Sequence, residues 1–269
     1  MVAPTVLRSC LLGACLCLGA SAEIPFVSVQ PTARVEYWQK RVAAIDASLQ
    51  DVRTLSSVRL VFLGDSITDF WTMGENLWFP GKRCGLAVWN ASFSGSVPKN
   101  RGLNLGVSGD RTEHVLYRIL PKAQGGLGEL DSPALDPDFV ILLVGINNSW
   151  AAETPAAESM YEGISAVVSA VHARKPRARI ILETLLPTSD EGKNRDMVRP
   201  VNQRLRAMAS VAPVSGYVTV LDLYPAFVDA SGAQVASLFN DGLHPTEEGY
   251  ARWRDRLVPL LDSLRSSKR

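Results

Sequence analysis

Cysteine is scarce in this 269-residue chain, which contains four, at Cys10, Cys15, Cys17 and Cys84. Three of them fall within the first 22 residues, and only Cys84 remains if that segment is removed. A single cysteine cannot form an intramolecular disulfide, so the stability of the folded chain must come from its core. A lone cysteine in a loop is more typical of a passive buried thiol than of a nucleophile.

The sequence also lacks a surplus of charge of either sign. Its 28 Lys and Arg residues face 27 Asp and Glu residues, for a formal net charge of +1. Nucleic acids and anionic membranes attract strongly basic surfaces, so neither is an expected partner. No apolar run approaches the ~20 residues that a membrane-spanning helix requires. We therefore expect no transmembrane span in the mature chain.

The first 22 residues have the pattern of a secretory signal peptide. Arg8 supplies a weak positive charge, residues 11–18 form a short apolar core, and Ala20-Ser21-Ala22 matches a small-x-small cleavage site. We expect a signal peptide over 1–22, a mature domain over 23–269, and export to the periplasm or the extracellular space. Residues 12–15 also resemble a bacterial lipoprotein box that would leave Cys15 lipidated, but the apolar stretch before that box is short for this outcome.

Apolar runs and amphipathic segments alternate along the rest of the chain. Runs rich in aliphatic and β-branched residues predict five buried strands, at 58–63, 103–107, 138–144, 179–185 and 218–223. Apolar residues at helical spacing predict helices, at 34–50, 111–119, 154–173, 196–210 and 246–263. The segment 70–101 is predicted to be an irregular excursion, helical near 75–78. This alternation predicts a single-domain, three-layer α/β/α sandwich with about five parallel strands.

A serine follows the first predicted strand. That strand ends at Gly64, where the chain must turn sharply, and Ser66 therefore lies at the carboxyl end of the strand. Open α/β sheets hold their ligands at this edge. A serine hydroxyl is a weak nucleophile without a neighbouring base, and the chain offers only three histidines for that role.

His244 is the histidine best placed to act as this base. His114 and His172 fall in predicted helices, where we expect surface or capping residues, whereas His244 lies in a loop before the last helix. Asp241, three residues upstream, can fold back to the imidazole ring through one turn. The same pair could instead form a solvated turn that caps the last helix. It could also supply two ligands of a metal ion, although no third and fourth ligands stand at suggestive spacing.

Four stretches, in order along the chain, resemble the sequence blocks of the SGNH hydrolases, also called the GDSL esterases and lipases. They are Gly64-Asp65-Ser66, Asn104 to Asp110, Gly145-Ile146-Asn147 and Asp241 to Pro245. The resemblance implies a flavodoxin-like α/β fold with Ser66 as the nucleophile and with Asp241 and His244 completing a catalytic triad. It also implies an oxyanion hole formed by the backbone amides of Ser66 and Gly109 and the side-chain amide of Asn147. No cofactor or metal is implied.

The third block departs from the family pattern at one position. Asn148 stands where many members have aspartate, and this wording, together with residues 104–119, is most similar to the branch that includes the platelet-activating-factor acetylhydrolase catalytic subunits. That branch removes short acyl groups and includes dimers. The resemblance therefore implies an esterase for short-chain, acetyl-type esters of a small molecule, lipid or glycan, with a homodimer as one assembly. The segment 70–101 could reshape the mouth of the acyl pocket.

Two other functions remain open at this stage. The same fold could serve as a non-catalytic domain that binds a glycan or a protein, although none of Ser66, Asn147 and His244 is missing. An acyl-enzyme on Ser66 could also pass its acyl group to a sugar hydroxyl instead of water, which would make the protein an acyltransferase.

Overall fold

The structure, a computed structural model, describes residues 25–34, 37–76 and 80–267. The predicted signal peptide, Cys15 within it and the start of the predicted mature domain lie outside the described residues. Residues 77–79, which include the second half of the stretch at 75–78 that we expected to be helical, also lie outside them.

Five parallel strands form one sheet in the order β2-β1-β3-β4-β5. They are β1 (Leu60–Gly64), β2 (Gly102–Gly106), β3 (Phe139–Leu143), β4 (Arg179–Glu183) and β5 (Val218–Leu221). Gly64 at the end of β1 is level with Gly106 of β2 and Leu143 of β3, so the loops that follow these strands begin at the same height. The chain runs outward from β1 in both directions, and such a switch point is where ligands bind in open α/β sheets.

Helices cover both faces of this sheet. In chain order they are α1 (Tyr37–Ser48), α2 (Val52–Ser57), α3 (Ser66–Asp69), α4 (Leu86–Ser92), α5 (Thr112–Ile119), α6 (Ala156–Arg174), α7 (Glu191–Lys193), α8 (Arg199–Met208) and α9 (Glu247–Ser266). Helix α6 packs between α5 and α8, whereas α4 packs against α9. The predicted three-layer sandwich is therefore confirmed. None of the described helices is long and apolar enough to cross a lipid bilayer.

The predicted helices are present, with shifted ends. The segment expected at 196–210 begins earlier, because α7 continues through a π-helical turn at Asn194–Val198 into α8. Three short helices, α2, α3 and α4, were not predicted, since segments of four to seven residues are too short to show a helical period.

The segment 70–101 contributes mainly to the core. Trp71, Trp89 and Phe93 are buried around Phe62 of β1, whose ring centroid lies 5.0 Å from those of Trp89 and Phe93. Trp71 also meets Trp253 of α9 at 5.0 Å between ring centroids. These aromatic rings fill the space between the sheet and the last helix.

Helical structure within this segment lies later than we predicted. Glu75 forms an isolated antiparallel bridge with Arg83, so the expectation of a helix near 75–78 is wrong at that residue. The helix forms instead as α4, whose buried residues Val88 and Trp89 face the core.

Candidate active site

The end of β1 presents Ser66 at the carboxyl edge of the sheet. A β-carbon on Gly64 would lie 2.1 Å from the carbonyl oxygen of Leu143, so no side chain fits at this turn. Asp65 then caps α3, because its Oδ1 accepts the Ile67 amide at 2.9 Å. Helix α3 begins at Ser66, which is buried except for 6% of its surface.

His244 connects Ser66 to Asp241. Its Nε2 lies 2.8 Å from Ser66 Oγ, and its Nδ1 lies 2.7 Å from Asp241 Oδ2. The second carboxylate oxygen accepts the backbone amides of Leu243 and His244 at 3.0 and 2.7 Å. A proton on Nδ1, directed to Asp241, leaves the Nε2 lone pair free to accept the Ser66 hydroxyl.

Ring stacking fixes the orientation of the His244 imidazole, and hydrogen bonds fix the charge of Asp241. The Phe70 ring stacks on the His244 imidazole with 4.8 Å between ring centroids, which holds the plane of the imidazole. Partial burial opposes ionisation of Asp241, but hydrogen bonds from the His244 ring and from backbone amides outweigh it and lower the pKa of the carboxyl. Asp241 therefore stays ionised and can stabilise a positive charge on the imidazole.

Gly109 and Asn147 face the same cleft from the two neighbouring loops. Gly109, after β2, has a φ of +81°, a left-handed conformation that glycine adopts without strain. Asn147 lies in the 3₁₀ turn that follows β3, and its Nδ2 donates to the carbonyl oxygen of Asp110 at 2.8 Å. A side-chain amide nitrogen carries two hydrogens, so this bond leaves one N–H for a ligand.

The cleft over these residues has a volume of about 370 Å³. Its walls are formed by eight residues: Ser66, Phe70, Ser108, Gly109, Asn147, Asp241, Leu243 and His244. Every residue that the sequence assigned to the triad or the oxyanion hole is therefore in this set. Within the described part of the chain, no group of three or more His, Cys, Asp or Glu residues is arranged to hold a metal ion.

Sequence reasoning missed the side chains that hold the β2 loop. Asp69 Oδ2 accepts the Ser108 amide at 3.2 Å and its hydroxyl at 2.9 Å, while Arg41 Nε lies 2.9 Å from Asp69 Oδ1. Asn104 Nδ2 donates to the carbonyl oxygens of Thr68 and Asp69 at 3.0 and 3.1 Å. These bonds join α3 to β2, and only the position of Asp69 shortly after Ser66 could have suggested them.

A buried ion pair supports the site from behind. Arg118 of α5 is fully buried, and its Nε donates to Asp110 Oδ2 at 2.7 Å. It also pairs with Glu129 and donates to the Gly64 carbonyl oxygen at 3.2 Å. Burying one of these charges without its partner would be costly, so we expect the ion pair to be kept in the folded state. Because Arg118 contacts both Gly64 and Asp110, it links the end of β1 to the loop after β2.

The other two histidines and Cys84 do not line the cleft. His114 caps α5, as predicted, because its Nδ1 accepts the Arg111 amide at 3.0 Å, and burial lowers the pKa of the ring to about 3. His172 stacks on Tyr217 with 3.6 Å between ring centroids. Cys84 is buried as expected, and burial raises the pKa of its thiol to about 11.

Asn148 does not line the cleft but binds the start of α5. It is buried, its Oδ1 accepts the Thr112 amide at 3.0 Å, and its Nδ2 donates to the Glu113 carboxylate at 2.9 Å. An aspartate here could not donate to Glu113, so the departure from the family pattern suits its local partners.

A five-stranded parallel sheet, with these loops at the carboxyl ends of its strands, defines a hydrolase of the GDSL (SGNH) type. The chain belongs to the GDSL-like lipase/acylhydrolase family, whose model matches residues 62–252.

Individual relatives agree with this assignment. The chain is 30% identical over 206 residues to the human platelet-activating factor acetylhydrolase IB subunit alpha2, an alignment that covers 76% of each protein. It also superposes on a GDSL-like lipase from Bacteroides thetaiotaomicron with a TM-score of 0.59 and 19% identity, covering 85% of this chain and 98% of that one. An acetyl xylan esterase matches with a TM-score of 0.52 and 16% identity, over 74% of this chain and 98% of that one. At these identities the two solved structures support the fold.

Proposed function

We propose that this hydrolase is an exported serine esterase that cleaves short-chain esters through an acyl-enzyme on Ser66. The observation that carries the proposal is the continuous hydrogen-bonded series from Ser66 Oγ through the His244 imidazole to Asp241, with distances of 2.8 and 2.7 Å. A serine joined to a base, which is itself oriented by a carboxylate, is the arrangement of an activated nucleophile.

The reaction proceeds in two steps. His244 Nε2 takes the Ser66 proton as Oγ attacks the ester carbonyl, and the imidazolium then gives that proton to the departing alcohol. Water enters next, loses a proton to Nε2 and attacks the acyl carbon, and the imidazolium then returns that proton to Ser66 Oγ as the acid is released. Asp241 stabilises the imidazolium in both steps because it remains ionised.

Both tetrahedral intermediates carry a negative oxygen. The backbone amides of Ser66 and Gly109 and the free N–H of Asn147 are the donors proposed for it. A donor of this kind typically contributes ~3 kcal/mol to transition-state stabilisation. The hydrogen bond from Asn147 to the Asp110 carbonyl oxygen favours this role, since it fixes the amide before substrate arrives.

The features of the cleft favour a short acyl group such as acetyl. Of its eight lining residues, Phe70 and Leu243 alone are large and apolar, a small surface for a long acyl chain. Phe70 and Ile67, which lie close to Ser66 in the chain, are buried in the core, so they offer little exposed apolar surface to a long acyl chain. The name of the human relative, an acetylhydrolase, supports the same preference. The alcohol could belong to a lipid, a glycan or a small molecule.

Hydrolysis of p-nitrophenyl acetate, butyrate, octanoate and palmitate by the mature protein tests the proposal, with Ser66→Ala as control. We expect turnover to be fastest on acetate and to be lost in the variant, which should also resist labelling by a fluorophosphonate. Equal rates for wild type and variant, without labelling, would favour the glycan- or protein-binding alternative. Release that speeds up with added sugar while acid production falls would indicate an acyltransferase.

Export is tested separately. The mass of the protein recovered from the periplasm or medium should correspond to a chain that starts near residue 23. A full-length chain retained in the cytoplasm would refute this part of the proposal.

A further inference from the structure

We propose that Arg34 is a positioning residue for the oxyanion hole, acting through the peptide unit that links Ser108 to Gly109. The inference rests on the proposed esterase function and adds a residue that lies outside the family-model match at 62–252.

The segment before α1 brings Arg34 to the loop after β2. Ser28 Oγ donates to the Ser159 carbonyl oxygen at 2.8 Å, and Thr112 Oγ1 donates to the Ser28 carbonyl oxygen at 2.8 Å. Further along, the Thr32 amide donates to the Glu113 carbonyl oxygen at 2.9 Å. These contacts fasten the segment to α5 and α6, and the side chain of Arg34 then reaches the loop after β2.

One guanidinium nitrogen holds that loop at two points. Arg34 Nη1 donates to the Ser108 carbonyl oxygen at 3.0 Å and to Asp110 Oδ1 at 2.8 Å. The Ser108 carbonyl and the Gly109 N–H belong to the same planar peptide unit. Fixing the carbonyl therefore fixes the direction in which the Gly109 N–H points. A positive donor on the carbonyl also polarises the unit and strengthens the N–H as a donor.

The backbone of Gly109 is shaped to accept this contact. A β-carbon at Gly109 would lie 2.8 Å from Arg34 Nη2, so the guanidinium lies against the glycine where a side chain would otherwise project. Arg34 therefore covers one side of Gly109, while Gly109 itself lines the cleft.

A purely structural role, as a partner of Asp110, explains less of this geometry. Asp110 already has a fully buried partner in Arg118, which approaches its other carboxylate oxygen at 2.7 Å. Arg34 is the more exposed of the two, with 25% of its side chain accessible. Loss of Arg34 leaves the buried ion pair intact, so its effect should fall on the Gly109 peptide more than on the fold.

The test compares Arg34→Met and Arg34→Lys with wild type on p-nitrophenyl acetate. Loosening one donor without deleting it should lower kcat and kcat/KM together by about 10- to 100-fold in Arg34→Met, with KM changed less than about twofold. Arg34→Lys should recover part of the loss, because a single nitrogen makes both bonds. Arg195→Met, at an exposed arginine paired with its neighbour Asp196, is the matched control and should match wild type.

A trifluoromethyl ketone supplies a readout that a structural role would not move. The adduct of this ketone on Ser66 places an oxyanion in the hole. Its inhibition constant should therefore rise in Arg34→Met by the same factor by which kcat/KM falls. Unchanged kcat in Arg34→Met, or a loss that follows only the folded fraction, would overturn the inference. Activity that survives Ser66→Ala would instead refute the esterase proposal, so the two failures can be distinguished.

Discussion

Asp65 should make the protein less stable as pH rises toward neutrality. The residue is 1% exposed, its Oδ1 accepts the Ile67 amide, and its Oδ2 has no hydrogen-bond partner among the described residues. Burial raises the pKa of Asp65 from 3.8 to about 7, against the opposing effects of the Ile67 amide and the charge of His244. The folded chain thus keeps a proton on Asp65 that the unfolded chain loses at a much lower pH.

The sign and size of the effect follow from this difference. Between the ordinary pKa of 3.8 and the folded value of about 7, the folded state binds more protons than the unfolded state. The free energy of unfolding therefore falls as pH rises through this window and is flat above it. At ~1.4 kcal/mol per pKa unit, the loss over the whole window is about 4 kcal/mol.

Asp65→Asn removes the titration and keeps the helix cap, since asparagine caps helices as well as aspartate does. Urea unfolding of both proteins should be measured from about pH 4.5 to about pH 8. The free energy of unfolding of the variant, relative to that of wild type, should rise by up to ~1.4 kcal/mol per pH unit. Subtracting the two curves cancels the titrating groups that do not interact with Asp65, whereas His244 and Asp110 are coupled to its charge.

Asp51→Asn is the matched control, because Asp51 caps α2 from an exposed position. Hydrogen bonds from Thr54 and Arg53 lower the pKa of Asp51, so the stability it contributes is present above 3.8 and is lost only as pH falls below that value. Its difference curve should stay flat over the same range. An equally flat curve for Asp65→Asn would refute the argument that its carboxyl is protonated by burial.

Two further variants test the proposed chemistry directly. Asn147→Ala should lower kcat by about 10²- to 10³-fold with little change in KM, since it deletes one oxyanion donor. A KM increase at constant kcat would instead assign Asn147 to ground-state binding. Asp241→Asn should lower kcat by about 10³- to 10⁴-fold, because an amide favours the wrong tautomer of His244. A kcat for Asp241→Asn within tenfold of the wild-type value would show that the backbone, and not this carboxylate, orients the ring.

The sequence predicted the strands, and the residues that meet in the candidate site, far better than it predicted the side chains that hold that site in place. Runs such as 139–144 are apolar throughout, so their burial could be inferred without knowing their neighbours. Ser66, Asn147 and His244 each follow a strand or precede a helix in a short motif with a chemical meaning. Signals of this kind lie within a short stretch of the chain, so they can be recognised from the sequence alone.

Arg34, Asp69 and Arg118 carry no comparable signal. Each is a charged residue whose role depends on a partner that lies outside any short motif, such as Asp110 for both Arg34 and Arg118. Isolated charges in a sequence are most often solvated, so pattern alone assigns them to the surface. Their ion pairs became apparent only when the fold placed the opposite charges beside them.

Strand order is the step that turns separate motifs into one site. With β1 between β2 and β3, the loops that carry Ser66, Gly109 and Asn147 are neighbours by topology. His244 follows β5, which is separated from β1 by two strands, so topology alone does not bring it to Ser66. Helix α9 makes the connection, because the Tyr250 hydroxyl donates to the Ile67 carbonyl oxygen at 2.8 Å. The start of α9 is thereby fixed against α3, and the loop just before it holds the His244 imidazole within hydrogen-bonding distance of Ser66.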